Sequence, residues 1–248
     1  MKLTNHRVIR QSIFGFLLLM IVSACANNEQ NIALLPADDL YGTGVTAFEE
    51  GNWRRAITFL ETFVAQHLGD PRAPDARLKL GESHIETREY ATAATHFERL
   101  IIDFPSSPLN LQARFLICES YYRLSPRPAL DQQFTVSALL HCQSISEIYP
   151  GTSEAAQASA YVTELQEKLA EKVFENGDFY FRRRAYDSAV VYYQEVLAQY
   201  PNTSFAPAAL AQLIETYTRI GYVEDAEETR ARLRTEYPQS AEAQALGS

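Results

Sequence analysis

Apolar positions recur along this chain with a helical beat. Segments such as "AATHFERLIIDFP", Ala93 to Pro105, and "AVVYYQEVLAQYP", Ala189 to Pro201, space apolar side chains three and four apart, as one buried helix face requires. Four aromatic–proline pairs close such runs: Phe104-Pro105, Tyr149-Pro150, Tyr200-Pro201 and Tyr237-Pro238. Twelve residues before each proline stands an alanine: Ala93, Ala138, Ala189 and Ala226. The same offset from Leu68, where the proline is missing, gives Ala56, and an aromatic precedes three of these alanines by three residues (Trp53, Tyr90, Tyr186). Successive alanines lie 37, 45, 51 and 37 residues apart, which predicts an array of helical repeats.

Each unit reads as two helices. The second runs from the alanine to the proline, which lacks an N–H to donate and disfavours helix in the residue before it. A small alanine lets the paired helices approach, where a leucine would overpack the contact by about 1–3 kcal/mol. The first helices also align: Gly81-Glu82-Ser83-His84 matches Cys118-Glu119-Ser120-Tyr121 and Ile214-Glu215-Thr216-Tyr217, with Gly44 and Gly177 in the same small slot.

This pattern of a small residue, an aromatic three on, an alanine, a bulky residue four later and a proline resembles the tetratricopeptide repeat. The resemblance implies an all-α solenoid of about five helix-turn-helix units, near 38–70, 71–107, 108–151, 152–203 and 204–240, followed by a C-terminal tail at 241–248. The 45-residue interval places eight surplus residues near Leu124–Gln132, so the prolines of "YYRLSPRPALDQQFT" lengthen the turn inside unit three. The 51-residue interval places fourteen in "SEAAQASAYVTELQEKLAEKVFENGDFYFRRR", where no proline intervenes and Glu164 precedes Lys168 by four. An extended helix leading into the fourth repeat is expected there, about 20 Å longer than its siblings. As a rigid connector it would divide the units three and two.

Charge narrows the partners. The formal net charge is −9, and the one dense basic run, Arg182-Arg183-Arg184, reads as a solvated helix end. Nucleic acid needs clustered cations along a face and is not an expected partner. The N-terminus begins with Lys2, Arg7 and Arg10, continues apolar from Ile13 to Val22, and ends Val22-Ser23-Ala24-Cys25. That run is a signal-peptide core, too short for a stable span, and with its cysteine it resembles the bacterial lipoprotein signal. The resemblance implies removal of residues 1–24, lipidation of Cys25 and, with Ala26 rather than Asp next, release to the outer membrane. Cleavage would take three cations and no acids, deepening the charge from −9 to −12. Residues 25–37 then read as a lipidated tether.

Cys118 and Cys142 lack metal-ligand spacing and both occupy core slots. Buried thiols are the expectation, with a disulfide left open because export permits one.

Together, the lipoprotein cysteine, five repeat units, the proline turn leading to Asp131-Gln132 and Thr135, and "ELQEKLAEKVFENGDFYFRRRAYDSAVVYYQEVLAQYP" (Glu164 to Pro201) resemble the BamD family, lipoprotein subunits of the outer-membrane β-barrel assembly machine. The likeness runs from Cys25 to near the end. Departures are His67-Leu68 for aromatic–proline in unit one and Arg230 for a bulky apolar residue in unit five. It implies a scaffold anchored by lipid at the periplasmic face of the outer membrane. Its partners would be BamA periplasmic domains, other assembly-machine lipoproteins and unfolded outer-membrane proteins. A generic repeat lipoprotein serving pilus or cell-wall machinery is the alternative, and would share the anchor and array but not the proline turn with the long helix.

In tetratricopeptide proteins the first helices line the inner face. The corresponding offsets select Tyr41, Val45 and Phe48; Leu78, Glu82 and Ile85; Phe115, Glu119 and Tyr122; and Phe174, Asp178 and Phe181. Such a surface, aromatic and apolar with occasional acids, suits an extended segment bearing aromatic side chains; packing against a neighbouring repeat is the competing reading. The Ser125–Gln132 loop, with Arg127 and Asp131 as polar handles, is the second candidate surface, or else a rigid cap. His84 and His67 occupy packing slots, whereas His96 and His141 fall on an expected solvated face. No HExxH, CxxC, P-loop or GxSxG is present, so no catalytic, cofactor or metal site is expected.

Overall fold

The computed structural model describes residues 32–246, and among them every regular element is helical. In order these are α1 (Ala37–Glu49), α2 (Trp53–Gln66), α3 (Ala73–Glu86), α4 (Tyr90–Asp103), α5 (Asn110–Leu124), α6 (Gln133–Ile148), α7 (Ser153–Arg182), α8 (Tyr186–Gln199), α9 (Phe205–Ile220), α10 (Val223–Glu236) and α11 (Ala241–Ala245). The signal peptide, Cys25 and the start of the tether lie outside the described residues.

Helix ends follow the prolines. α4, α6, α8 and α10 each stop two residues before one, at Asp103, Ile148, Gln199 and Glu236. The intervening aromatic leaves the helical region, with φ between −127° and −131°, as a residue before proline is driven to do. His67 adopts the same conformation without a proline after it. In four of the five hairpins the turn places a residue in the left-handed region five before the marker alanine. Gly51 and Gly221 supply it at no steric cost, while Arg88 and Arg184 hold φ of 64° and 62° there.

Ala56, Ala93, Ala138 and Ala189 are fully buried and Ala226 nearly so. In three hairpins the small slot of the first helix is pressed against the residue four after the alanine. A Cβ on Gly44 would lie 2.7 Å from Leu60 Cδ2, on Gly81 2.4 Å from Phe97 Cε1, and on Gly177 2.5 Å from Tyr193 Cε1. In the third hairpin that slot is Cys118, the opposing residue is Cys142, and the two form a disulfide with a Cα–Cα separation of 4.9 Å. The expectation of buried thiols is therefore corrected. The crossing that elsewhere presses a ring or a leucine onto glycine brings these two backbones within disulfide reach.

The described residues form two compact units that divide between Leu109 and Asn110. The first contains the hairpins α1–α2 and α3–α4 around Leu40, Leu60, Phe63, Ala76 and Leu80, with Ile32 and Leu35 packed on that core. The second holds α5 to α11. Its α7 is the expected long helix, with 30 residues against 13 to 16 in the other hairpin helices, an unbroken ~45 Å. Thr152 Oγ1 caps its start by accepting from Ala155 N at 3.2 Å.

The expected three-and-two division is not what forms. Ala158 and Leu165 of α7 sit in one core with Cys118, Ala138, Cys142 and Ile145, while Val173, Phe174 and Phe181 pack on the next, around Tyr193, Leu210 and Leu213. The long helix joins unit three to its successors by burying opposite ends in both cores. At the C-terminus, Arg230 does not stop α10, which buries Ala226, Thr229 and Leu233. The tail contributes α11, capped by Ser240, with Ala243 and Leu246 against the core.

Candidate functional site

Of the six sequence-selected residues in the first unit, two, Tyr41 and Phe48, meet one small network around Asp75. The Tyr41 hydroxyl donates to Asp75 Oδ2 at 2.6 Å, and Lys79 Nζ meets Asp75 Oδ1 at 3.0 Å. That lysine also lies 5.4 Å from the Phe48 ring centroid. Arg72 covers the Tyr41 ring at 4.9 Å while pairing with Asp38 and Asp70. Burial and the Asp75 carboxylate push the Tyr41 phenol up to about 12, so the ring presents a face and a committed hydroxyl. Val45 is half-buried on the hairpin core. Glu82 and Ile85 are half-buried on α3, whereas Leu78 is core, at 4% exposure.

In the second unit, Phe115 and Tyr122 on α5 stack on Tyr161 of α7, with centroids 6.2 and 4.1 Å apart. The Tyr122 hydroxyl donates to Glu164, which with burial raises its pKa to about 12. Glu119 is held by Arg123 at 2.6 Å. The result is three near-parallel rings edged by two carboxylates. Tyr161 escaped sequence reasoning because it lies in the inserted turns of α7, where no repeat register exists to select it.

Phe174 packs on Tyr193 and Phe205, both at 5.5 Å. Asp178 accepts from the Tyr193 hydroxyl at 2.7 Å, and burial followed by that carboxylate holds the phenol well above its ordinary range. Phe181 meets Tyr186 edge-on and lies under Arg219. These three therefore support the fourth hairpin as much as they line a surface.

The Ser125–Gln132 loop is fastened rather than free. Lys168 Nζ donates to Ser125 Oγ at 2.8 Å and Lys172 Nζ to the Ala129 carbonyl at 3.2 Å, both from α7. Gln132 Nε2 reaches the Arg127 and Leu130 carbonyls at 3.0 Å, and Asp131 Oδ1 accepts from Gln133 N at 2.9 Å, starting α6. Arg127 itself is exposed. Beside the loop opens a cleft of about 530 Å³ lined by Ala129, Lys172, Phe179, Tyr180, Arg182 and Tyr192, among others. Phe179 is 42% exposed, with Arg183 over its ring at 4.1 Å. Of the residues that the offsets select, Asp178 alone lines this cleft.

The histidines differ from expectation in one respect. His96 is half-buried rather than solvated; its ring stacks on His84 at 5.0 Å and 7°, and His84 Nδ1 lies 2.6 Å from Glu89 Oε2. Burial, then the neighbouring His84, Arg77 and Arg99, lower the His96 pKa to about 4. His141 likewise stacks on Tyr121. Among the described residues no group of three or more His, Cys, Asp or Glu could hold a metal ion, and no helix is long and apolar enough to cross a membrane.

Comparison with known proteins gives the following. A family model described as YfiO, outer membrane lipoprotein, matches residues 35–233. The outer membrane protein assembly factor BamD of Caulobacter vibrioides is 27% identical over 231 residues, covering 92% of this chain and 76% of that one. Its namesakes from Rickettsia prowazekii and Vibrio cholerae are each 24% identical, covering 89% of this chain in both cases and 88% and 95% of their own. Among solved structures, the TPR domain of P58(IPK) superposes with a TM-score of 0.46 at 16% identity, over 84% of this chain and 53% of that one.

Proposed function

The chain belongs to the YfiO (BamD) family of outer membrane lipoproteins, and from that membership we propose that it is a non-enzymatic scaffold in outer-membrane protein assembly. It is held to the outer membrane by lipid on Cys25, faces the periplasm, and binds the periplasmic domains of BamA together with unfolded outer-membrane proteins. The observation that carries this reading is the family match, which runs from residue 35 through 233 and so covers four hairpins and all but the last turn of the fifth.

Binding by such a surface needs no reacting group. The phenols of Tyr41 and Tyr122 are committed to Asp75 and Glu164, so recognition falls to ring faces and aliphatic edges. Those suit a segment that alternates aromatic and polar side chains, because rigid rings give contact area at little ordering cost. The acids beside them disfavour an acidic ligand by like-charge repulsion.

The test is site-specific photocrosslinking in cells. Probes replacing Phe48, Phe115 and Tyr122 are expected to capture outer-membrane protein C-terminal segments, while one at Val191, 61% exposed on the second helix of its hairpin, is not. Equal capture at Val191 would remove the inner-face assignment. Pull-down of the lipidated chain is expected to recover BamA. Recovery of pilus or peptidoglycan machinery in its place would overturn the assembly role.

A further inference from the structure

Leu34 is the most exposed large apolar side chain among the described residues, at 81%. It does not dangle. On one side the Ala33 carbonyl accepts from Gln66 Nε2 at 3.1 Å, joining it to the end of α2. On the other, Leu35 packs on the hairpin core and its N–H bonds the Ile32 carbonyl at 3.1 Å. Folding thus packs Ile32 and Leu35, both half-buried, on the core and holds the leucine between them outward. Two residues beyond Gln66, Leu68 is also exposed, at 44%.

A lone exposed leucine is ordinary, but this one has a definite position in the chain. Nine residues separate it from Cys25, a span of at most ~30 Å even fully extended. If Cys25 carries lipid, Leu34 cannot lie farther than that from the bilayer surface. The charges nearby choose the surface. Asp38 and Asp70 are both paired with Arg72, and Asp39 adds a further exposed acid, so the charges next to Leu34 are weighted to the acidic side and disfavour an anionic headgroup.

We propose that Leu34, assisted by Leu68, inserts into the headgroup–acyl boundary of a zwitterionic leaflet and so orients the first hairpin on the membrane. The proposal rests on the lipid-anchor reading and adds a second, non-covalent contact to it. Two attachments on one rigid hairpin fix a direction, which a flexible tether alone leaves free.

The test uses the full lipidated chain in phosphatidylcholine vesicles. With Cys25 acylated and Cys118 bonded to Cys142, a cysteine introduced by Leu34→Cys, Leu68→Cys or Glu50→Cys is the sole free thiol for an environment-sensitive fluorophore. Glu50 follows the far end of α1 and is exposed, roughly 20 Å away along the helix. Blue-shifted emission, quenched by lipid-borne nitroxide, is expected at 34 and more weakly at 68, with water-like emission at 50. High salt should leave it unchanged, and Leu34→Asp should abolish the shift at 68. Vesicle flotation with water-like emission at 34 overturns the contact and leaves the anchor standing. Equal shifts at 34 and 50 overturn it as non-specific adsorption. No flotation of the chain with Cys25 intact overturns anchor and contact together.

Discussion

The third hairpin offers a quantitative test of what its disulfide contributes. Replacing both cysteines by alanine would confuse the cross-link with lost packing, so the informative variant is Cys118→Gly with Cys142→Leu. It recreates in hairpin three the contact that Gly44 makes with Leu60, keeping the crossing filled; the glycine inside α5 adds up to about 1 kcal/mol of helix-propensity cost to the loss of the covalent link. The bond joins residues 24 apart. In the chain-entropy model a closed loop of that size restricts the unfolded ensemble by roughly 12 cal/mol/K, about 3.5 kcal/mol at 25 °C. For a domain of this size that corresponds to a Tm lower by ~7–14 °C. Urea unfolding of the oxidised chain and of the variant, followed by far-UV circular dichroism, gives the difference directly. Thiol titration of the chain in denaturant without reductant should find no reactive Cys118 or Cys142. Two free thiols there, or a variant within ~0.5 kcal/mol of the parent, would refute the argument that this crossing is covalently held.

Two further outcomes follow from contacts already described. Gly81→Ala drives a methyl to 2.4 Å from the Phe97 ring and is expected to destabilise by about 1–3 kcal/mol, whereas Gly42→Ala meets nothing within 4 Å in the interior of α1 and should stabilise by up to ~1 kcal/mol; paired chemical denaturation curves check both signs. His96 binds its proton less readily when folded, at about 4 instead of the ordinary 6.5, so the unfolded state takes up protons first. The stability this represents is present above pH 6.5 and is lost as pH falls toward 4. His96→Gln should flatten the pH dependence of the midpoint across that window, and an unchanged slope would assign it to other groups.

How much of this was legible in the sequence depends on the range of each interaction. The marker alanines and the prolines at 105, 150, 201 and 238 state the hairpins because they act on their own helix or its partner in the turn. The length of α7 was readable too, since fourteen unbroken residues had to go somewhere. Its consequence was not, because nothing local says that Ala158 and Leu165 bury in one core while Phe174 and Phe181 bury in the next. The same holds for the candidate surfaces. Repeat offsets found Phe115 and Tyr122, but the ring both rest on, Tyr161, lies where the repeat has no counterpart. They also selected Leu78, which turned inward. Cys118 and Cys142 were each placed in a core slot correctly, yet only the three-dimensional crossing shows that those slots face each other. Leu34 is exposed because of a bond between residues 33 apart in sequence, from Gln66 to Ala33.

A helix anchored in two cores also sets how the second unit comes apart. Neither half of α7 can fray far without uncovering the hydrophobic cluster beneath it, so no sub-global opening that spares one cluster is cheap. Amide protons from α5 through α10 should then share a single protection limit, the mark of one cooperative foldon, where a simple stack of hairpins would instead show a gradient falling toward its end.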